Sequence, residues 1–298
     1  MNGEIENWVR RVAEASESFL DRKGPYDWLI KQSIYTHFQR LIPLLSMSCF
    51  KSAGGSILDV GAGTGALAID LAWRIGDGGR VTVLDHDPEA LQILRTIAER
   101  VGVRVEALIG DAAALPVQDA SQDMTVSRFL LQHLRDPLAV LAQMRRVTRP
   151  GGRVVIVDVD DEVWVMEPPE FPHVAAWRKA LRTLQRQKGG DRQIGRKLYG
   201  LMREAGFEAI QVLVIPFVRL GLQQGRRAEV EQFKIERLFR ERDELIDSGL
   251  MTAGDFEAAL SELQQGFALD RFEMDAEFVA VGVVPEPVGA TSGVPDGG

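Results

Sequence analysis

The sequence predicts an α/β fold in which a parallel β-sheet carries helices on both faces. Between residues 56 and 158, short apolar segments with strand character alternate with longer segments whose apolar residues recur at helical spacing. This alternation is typical of consecutive βαβ units. A glycine-rich turn, 61–65, follows the first apolar strand and leads directly into a helix. Both observations indicate a parallel sheet.

The predicted elements of this central region follow one another regularly. The strands are 57–60, 80–84, 103–109, 124–127 and 153–159, and the helices are 66–75, 89–101 and 137–147. Pro88 suits the first turn of helix 89–101, in which Leu91 and Leu94 lie on one face, and Gly102 ends it. The turn 150–152 leads into 153–159, which is the strongest strand signal in the chain.

The flanking regions predict further helices and strands. Helices are predicted over 5–20, 26–47, 193–205, 229–248 and 255–265, and strands over 210–218 and 276–284. Segment 161–190, with three prolines and two tryptophans, predicts an insertion after the fifth strand. We therefore divide the chain into an N-terminal helical cap (1–52), a main domain (53–284) with embellishments at 161–190 and 221–270, and a Pro/Gly/Ser-rich tail (285–298) that we expect to be disordered.

The composition is that of an ordinary globular protein, with 45% hydrophobic and 26% charged residues in a chain of 298. The net charge of −8 argues against a broad nucleic-acid-binding face. Cys49 is the single cysteine, so no intramolecular disulfide forms and a reducing compartment is expected. No apolar run approaches the roughly 18 residues of a membrane helix, and the N-terminus lacks a signal-peptide pattern. We expect a cytoplasmic protein that binds neither nucleic acid nor membrane.

The glycine-rich turn indicates a ligand site. Small residues let the backbone approach a ligand closely, and the helix that follows offers unpaired N–H groups at its N-terminus. Two interpretations fit. Gly61, Gly63 and Ala66 match the dinucleotide-binding pattern G-x-G-x-x-G/A, and Asp85 lies at the distance of a ribose-binding acid. The stretch 59–65 also resembles D-x-G-x-G-x-G, which is typical of an S-adenosylmethionine site.

Three further features bear on this choice, and together they favour the methyl donor. Asp85 ends the second strand, where its carboxylate can accept both ribose hydroxyls, which suits either ligand. Asp111 follows the third strand, where an acid can accept a hydrogen bond from an adenine amino group, as in methyltransferases rather than dehydrogenases. The turn 149–152 before the fifth strand is the one found there in class I methyltransferases.

On these residues, 56–160 resembles the class I S-adenosylmethionine-dependent methyltransferases of the broad family that includes the ubiquinone/menaquinone-type small-molecule enzymes. The resemblance continues through 195–206 and the strand 276–284. It implies a Rossmann-like, doubly wound sheet of seven strands, mostly parallel, whose last strand is antiparallel. It also implies an enzyme whose cofactor is S-adenosylmethionine.

The resemblance further assigns a donor site residue by residue. Its members are Asp59, Gly61, Gly63, Asp85, Asp111, Ala112, Ser127 and Arg128. Asp59 would orient the amino group of the donor, and the two glycines would admit its methionine and ribose. Asp85 would hold the ribose, and Asp111 with Ala112 would hold the adenine. Ser127 and Arg128 would lie beside the methionine moiety, whereas Asp87 is expected to cap the helix that follows it.

Two other functions remain open. A nicotinamide-dependent dehydrogenase is disfavoured because no tyrosine is followed four residues later by a lysine, and because an acid stands at Asp111. A catalytically silent relative that binds the donor and acts as a scaffold or regulator is compatible with every motif. No Cys/His cluster has zinc spacing, and we predict no metal site.

The methyl acceptor is expected to be a small, partly apolar molecule that is methylated at O, N or C. His133 begins the helical segment after the fourth strand and is the best candidate base, whereas His37, His86 and His173 are weaker candidates. An acidic cluster ends the fifth strand and either binds a cationic group or a metal, or is ordinary turn chemistry. Its members are Asp158, Asp160, Asp161 and Glu162.

Large apolar side chains in two segments are predicted to pack on the sheet or to line a largely apolar acceptor cavity. They are Tyr26, Trp28, Tyr35 and Phe38 near the N-terminus, and Trp164, Met166, Phe171 and Trp177 in the insertion. We also expect Asp85→Ala to weaken donor binding with little effect on stability, because Asp85 is interpreted as an exposed loop carboxylate.

Overall fold

A computed structural model describes residues 2–20, 26–36, 55–167, 171–220, 227–267 and 272–287. The predicted helix 26–47 is described as far as Thr36, and for residues 33–36, Tyr35 included, only the backbone is described. His37, Phe38 and Cys49 lie outside the described residues, as do residues 288–298 of the predicted tail.

The elements follow the predicted order. The strands are β1 (Gly55–Val60), β2 (Gly79–Asp85), β3 (Glu106–Ile109), β4 (Gln122–Arg128), β5 (Thr148–Glu167), β6 (Glu208–Leu220) and β7 (Phe272–Val283). The helices are α1 (Asn2–Leu20), α2 (Asp27–Thr36), α3 (Ala66–Ile75), α4 (Pro88–Val101), α5 (Pro137–Val147), α6 (Pro172–Gln187), α7 (Leu198–Glu204), α8 (Arg227–Asp247) and α9 (Ala253–Phe267). Within the predicted helix 193–205, the first turn is a 3₁₀ segment, Ile194–Lys197, and α7 follows it.

The strands form one seven-stranded sheet in the order β3-β2-β1-β4-β5-β7-β6. Strands β1 to β5 pair in parallel, and β7 lies antiparallel between β5 and β6. The prediction of a mostly parallel sheet with an antiparallel last strand is confirmed. The strand order reverses between β1 and β4, and a crevice for ligands opens at the carboxyl ends of the strands at such a switch point.

The central strands β1, β2 and β4 and the first half of β5 are mostly buried, which explains their apolar character, whereas the edge strand β6 is largely exposed. Ile57 on β1 belongs to one core cluster together with Leu91 from α4. Its neighbour Leu58 points to the opposite face and belongs to a second cluster with Met144 from α5. Because successive side chains of β1 pack into different clusters, the register of the strand is fixed, and so is the position of the glycine turn that follows it.

Strand β5 is longer than predicted. We expected 153–159 to be followed by an insertion, but β5 continues to Glu167 and pairs again with β7 after a register irregularity between Val159 and Trp164. The expectation that the insertion starts at Asp161 is therefore wrong. The alternation of β-branched and aromatic residues in 163–165 favours a strand there. The three segments 164–167, 217–220 and 272–275 pair with one another beyond the point where β5 pairs with β4, and we call them the outer ribbon.

The remaining helices pack at the two ends of the crevice. α1 packs on α4, and its Trp8 stacks on Trp73 of α3 with ring centroids 4.8 Å apart. α6, α8 and α9 share a separate buried cluster that includes Trp177 and Phe256. α2 contacts α8, so the N-terminal helices and the later helices close over the same opening.

Candidate functional site

A cavity of about 770 Å³ lies at the carboxyl ends of the parallel strands. This volume falls within the roughly 300–1,000 Å³ range of small-molecule sites. One wall consists of the glycine turn, the end of β2 and the segment after β3, and we call it the sheet half. The rest of the lining comes mainly from α2, α6, α8 and the outer ribbon, and we call it the helical half.

The glycine turn is fixed against β2 by its own backbone. The N–H groups of Gly61 and Ala62 donate to the Leu84 carbonyl oxygen at 2.8 and 3.1 Å. Gly63 has a φ of 54°. A Cβ there would meet only Leu29, 3.8 Å away, so this residue faces open space in the cavity. The turn therefore offers a ligand a close approach to the backbone, as the sequence predicted.

Asp85 is buried rather than exposed, and this corrects our expectation. Its side chain accepts hydrogen bonds from the N–H groups of Gly63 at 2.8 Å and Asp87 at 3.0 Å. Its residue exposure is 8%, although it still lines the cavity. A carboxylate has about four lone-pair sites, so Asp85 keeps acceptor capacity for a ligand while it holds the glycine turn.

Asp87 caps α4, as predicted, by accepting hydrogen bonds from the N–H groups of Glu89 and Ala90. Its second oxygen accepts a hydrogen bond from the Tyr26 hydroxyl. This hydrogen bond to Asp87 is the main cause that raises the pKa of Tyr26 to about 12, so the hydroxyl stays protonated. The contact ties the N-terminal helices to the rim of the sheet half.

The other donor-site candidates occupy two different environments. Asp111 and Ala112 line the cavity, and Asp111 caps the short 3₁₀ turn after β3 through the Ala113 N–H at 2.9 Å. Asp59 and Ser127 are buried and do not line the cavity. Burial, with Asp85 adding to it and Arg128 opposing it, raises the pKa of Asp59 to about 7. These two residues lie behind the lining rather than in it.

Arg128 lines the cavity from the end of β4 and is also held by the sheet. Its guanidinium donates to Glu277 of β7 at 3.0 Å. It stacks over the Phe129 ring at 4.1 Å. Phe129 has a φ of 58°, a conformation that few non-glycine residues adopt, and its N–H donates to the Val157 carbonyl. The chain thereby turns sharply from β4 towards His133.

His133 lines the cavity, and its hydrogen bond defines its tautomer. Gln185 Nε2 lies 2.8 Å from His133 Nδ1 and 3.1 Å from the Gln132 carbonyl oxygen, so the amide nitrogen donates to both. Nδ1 therefore accepts, and the neutral ring carries its proton on Nε2. The His133 side chain is exposed towards the cavity, but desolvation by the surrounding walls, together with the charges of Arg192, Arg237 and other cations, lowers its pKa to about 4. These properties favour a neutral hydrogen-bond donor over the general base suggested by the sequence.

The other histidines occupy different places. His86 lies at the cavity rim and its side chain is 90% exposed. His173 pairs with Glu262 of α9 at 2.7 Å and does not line the cavity.

Each member of the acidic cluster at the end of the predicted fifth strand has a partner within the protein. Asp160 pairs with Arg196, and Asp161 pairs with Arg192 through both carboxylate oxygens. Asp158 accepts hydrogen bonds from the N–H groups of Gln132 and Val159, and burial raises its pKa to about 7. Glu162 lies 3.0 Å from Arg196. This pairing favours a structural role over the alternatives of a cationic ligand or a metal.

In the part of the chain that the structure describes, no group of three or more His, Cys, Asp or Glu side chains is arranged to hold a metal ion.

The helical half carries the aromatic residues that the sequence predicted, together with cations that it did not. Trp28, Trp164, Met166, Phe171 and Trp177 all line the cavity. Between them lie Arg178, Arg192, Arg219, Lys234, Arg237 and Arg240. The apolar acceptor cavity that we expected therefore also carries a set of cations that the sequence did not indicate. The cations come from α6, the segment after it, β6 and α8, and no local sequence motif connects them.

Several of these cations form ion pairs inside the wall. Arg219 lies 3.0 Å from both Glu273 and Asp275 on β7. Lys234 lies 2.7 Å from Glu273, and these positive charges outweigh burial to hold the pKa of Glu273 well below its ordinary value. The outer ribbon and α8 are thus connected by charge as well as by packing.

Comparison with known proteins adds to this geometry. Residues 51–206 match a protein family described as "Methyltransferase domain". The chain is 32% identical over 217 residues to an uncharacterized 37.1 kDa protein in transposon Tn4556 of Streptomyces fradiae, covering 70% of this chain and 61% of that protein. It is 31% identical over 170 residues to a demethylmenaquinone methyltransferase of Lactococcus lactis, covering 53% of this chain and 68% of that enzyme.

Among solved structures, the chain is similar to phosphoethanolamine N-methyltransferase 2 of Haemonchus contortus, with a TM-score of 0.53 and 18% identity. The similarity covers 90% of this chain and 60% of that one, and at this identity it concerns the fold alone. The chain spans about three fifths of the length of this structure and of the Streptomyces relative. None of the helices within the described ranges has the length and apolar character needed to cross a bilayer.

Proposed function

The chain belongs to the class I S-adenosylmethionine-dependent methyltransferases, and from this premise we propose that it transfers the donor's methyl group to a small molecule in the helical half of the cavity. One observation carries the proposal. The glycine turn, Asp85 and Asp111 line the same cavity as the aromatic residues of the helical half. Donor and acceptor can therefore occupy the same enclosed space.

The residues of the sheet half fit the donor. The open approach at Gly63 suits its methionine and ribose, Asp85 has spare acceptor sites for ribose hydroxyls, and Asp111 with Ala112 stands where adenine would lie. Arg128 borders the methionine end. We assign Asp59 and Ser127 to a layer behind the lining, where Asp59 acts on the donor's amino group through intervening groups or water.

Once bound, the donor supplies a sulfonium methyl group that is already a good electrophile. The protein then contributes mainly by holding the acceptor atom in line with that methyl group and by excluding water. His133 supports this role as a neutral donor from Nε2, which can orient an oxygen or nitrogen of the acceptor. The relative from Lactococcus lactis methylates demethylmenaquinone by its name, which supports a small-molecule acceptor here.

Calorimetry tests the proposal with S-adenosylmethionine, S-adenosylhomocysteine and NAD as separate ligands. We expect the first two to bind at micromolar concentrations and NAD to bind weakly or not at all. The opposite preference would support the nicotinamide-dependent dehydrogenase that the glycine pattern alone allows. Binding without release of S-adenosylhomocysteine across a broad acceptor screen would support a scaffold or regulator instead.

The setting of the reaction is also part of the proposal. We propose that the enzyme acts in the cytoplasm, which the single cysteine in the chain supports. The net charge of −8 supports an acceptor other than nucleic acid.

A further inference from the structure

Arg178 is a partly buried cation of the helical half that has no ion pair of its own within the described residues. It is half-buried on α6 and lines the cavity, and its guanidinium lies 4.6 Å from the centre of the Trp164 ring. It donates a hydrogen bond to the Asp161 main-chain oxygen at 3.2 Å, which is a neutral acceptor. Among the described residues it forms no ion pair with a carboxylate.

The carboxylates nearest to Arg178 are occupied by other cations. Asp161 is held by Arg192. Glu273 and Asp275 are both held by Arg219. With burial as the main cause and the neighbouring Arg237 guanidinium adding to it, the pKa of Arg178 falls to about 10 even though Asp161 opposes the shift. The arginine remains charged at neutral pH and lacks a dedicated partner.

Arg237 presents a second guanidinium to the same space. Its side chain is 25% exposed, and its Nε lies 3.7 Å from Glu241 Oε1, a long ion pair. It lies over the Trp28 and Trp177 rings, 5.8 and 6.0 Å from their centroids. Burial, and the Arg192 charge after it, lower the pKa of Arg237. Two partly desolvated guanidinium groups thus line the same cavity, and the charge of Arg237 acts on Arg178, an arrangement that an anion would stabilise.

We propose that the methyl acceptor is an anionic small molecule whose carboxylate or phosphate group binds between Arg178 and Arg237, while its apolar body packs on the surrounding indole rings. This inference rests on the proposed function and names the substrate class for it. A guanidinium presents parallel N–H donors that match the two oxygens of a carboxylate or phosphate. Trp28, Trp164 and Trp177 supply flat apolar surfaces for the rest of the molecule.

The distribution of charge across the cavity agrees with this assignment. The sheet half presents Asp85, Asp87 and Asp111, which suit the cationic donor. The helical half also contains carboxylates, but Asp160, Asp161, Glu273 and Asp275 are paired with other cations, which leaves the two arginines to attract an anion. The charges of the lining would therefore favour the cationic donor in the sheet half and an anionic acceptor in the helical half.

The first test uses the wild-type protein with S-adenosylhomocysteine bound. Calorimetry compares 4-hydroxybenzoate with its uncharged isostere 4-hydroxybenzamide, and phenyl phosphate with phenol. Loss of a charge-assisted hydrogen bond typically costs a factor of about 10 to 100 in affinity. We expect at least one anion to bind about tenfold or more tightly than its neutral counterpart. The stronger of the two anions identifies a carboxylate or a phosphate site.

The second test uses variants on one helix. Arg178→Gln should abolish the preference for the anion and leave the affinity for S-adenosylhomocysteine unchanged. Lys179→Gln removes the same charge from an exposed neighbour on α6 that does not line the cavity, and it should retain the preference.

Equal binding of anion and neutral probe to the wild-type protein, or no binding of either anion at millimolar concentration, would overturn the inference. The wild-type comparison decides this even if Arg178→Gln fails to fold. Failure of S-adenosylhomocysteine itself to bind would instead refute the proposed function, so the two failures are distinguishable.

Discussion

The two halves of the cavity are built by different means. The sheet half uses backbone groups and short acidic side chains within 61–112, each at the end of a parallel strand. The helical half uses long side chains that come from α2, α6, β6, α8 and β7, so residues more than two hundred positions apart meet in it. The sheet half therefore follows from local chain geometry, whereas the helical half exists only after the tertiary structure has formed.

The two halves also satisfy their charges differently. Asp85 in the sheet half is held by main-chain N–H groups and keeps capacity for a ligand. In the helical half, Asp161 forms an ion pair with Arg192. Glu273 forms ion pairs with both Lys234 and Arg219. We therefore expect substitutions in the helical half to affect folding first, and those in the sheet half to affect ligand binding as well.

The largest effect is expected for Asp161→Ala. This change leaves Arg192 as an unpaired charge whose side chain is only 13% exposed. Breaking one partner of a buried ion pair costs about 3–5 kcal/mol. Urea unfolding should show that loss, whereas Glu162→Gln should cost less than about 1 kcal/mol because Glu162 and Arg196 are each 46% exposed. Wild-type stability of Asp161→Ala would revive a ligand-binding role for the acidic cluster.

Asp85→Ala should have the next largest effect, because it should lower both the donor affinity and the free energy of unfolding. Donor affinity should fall by about 1.5–3 kcal/mol, the scale of a charge-assisted hydrogen bond. The free energy of unfolding should fall by about 1–3 kcal/mol, because the N–H groups of Gly63 and Asp87 lose their acceptor. Calorimetry with S-adenosylhomocysteine and thermal unfolding measure the two losses.

The matched control for that change is Asp77→Ala, an exposed acid near the opposite end of β2. It should alter neither the donor affinity nor the free energy of unfolding. If Asp85→Ala bound the donor normally, the assignment of Asp85 to the ribose would be wrong, and a purely structural role would remain.

His133→Ala should lower the methylation rate about tenfold at saturating donor and leave donor binding nearly intact. Because the pKa of His133 is about 4, the ring is neutral throughout the range from about pH 6 to pH 8. The wild-type rate should therefore show no inflection from His133 in that range. An inflection near neutral pH that His133→Ala removes would instead identify a general base. The assay needs an acceptor, which the anion test above is designed to find.

The smallest effect is expected from the titration of Asp59. Its pKa of about 7 means that the carboxyl group is largely protonated below that pH and charged above it. The donor carries positive charge, so its affinity should rise by up to about tenfold as the pH increases through 7, with release of a proton on binding. Calorimetry in two buffers of different ionisation enthalpy measures that proton.

The variant Asp59→Asn should lose this pH dependence of donor binding. Without donor, the contribution of Asp59 to stability falls as the pH rises from 3.8 to about 7, because the unfolded chain ionises first in that interval. Asp59→Asn should remove this decline as well. A donor affinity that does not vary with pH in the wild-type protein would place Asp59 out of reach of the donor's charge.

The sequence predicts the fold and the sheet half because their signals are local. Helix 66–75 and the cap at Asp87 follow from residues within one or two turns, and Gly61 to Gly65 specify the turn without help from distant parts. The burial of Asp85 was missed because it depends on how the turn folds back onto that carboxylate, and nothing adjacent to Asp85 in the sequence reveals it.

In the helical half, the aromatic lining was predicted but the cations were missed, because their position depends on contacts between distant parts of the chain. Arg178 and Arg237 each resemble an ordinary surface cation of an amphipathic helix, and only the packing of α6 and α8 against the outer ribbon turns them inward. The continuation of β5 to Glu167 was missed because acids at 160–162 and prolines at 168 and 169 suggested a loop. The partner that makes 164–167 a strand, β7, lies more than a hundred residues away.

The outer ribbon offers positions for redesign that are separate from the residues of the sheet half. Along its β5 segment, Trp164 and Met166 face the cavity, whereas Val165 and Glu167 are exposed on the other side. Replacing the first pair would reshape the space for an incoming molecule while the main-chain pairing with β7 is retained. Replacing the second pair would change an exposed surface that does not line the cavity. An engineer could therefore retarget the catalyst by editing alternate residues of a few strands, with the methyl-donor wall left untouched.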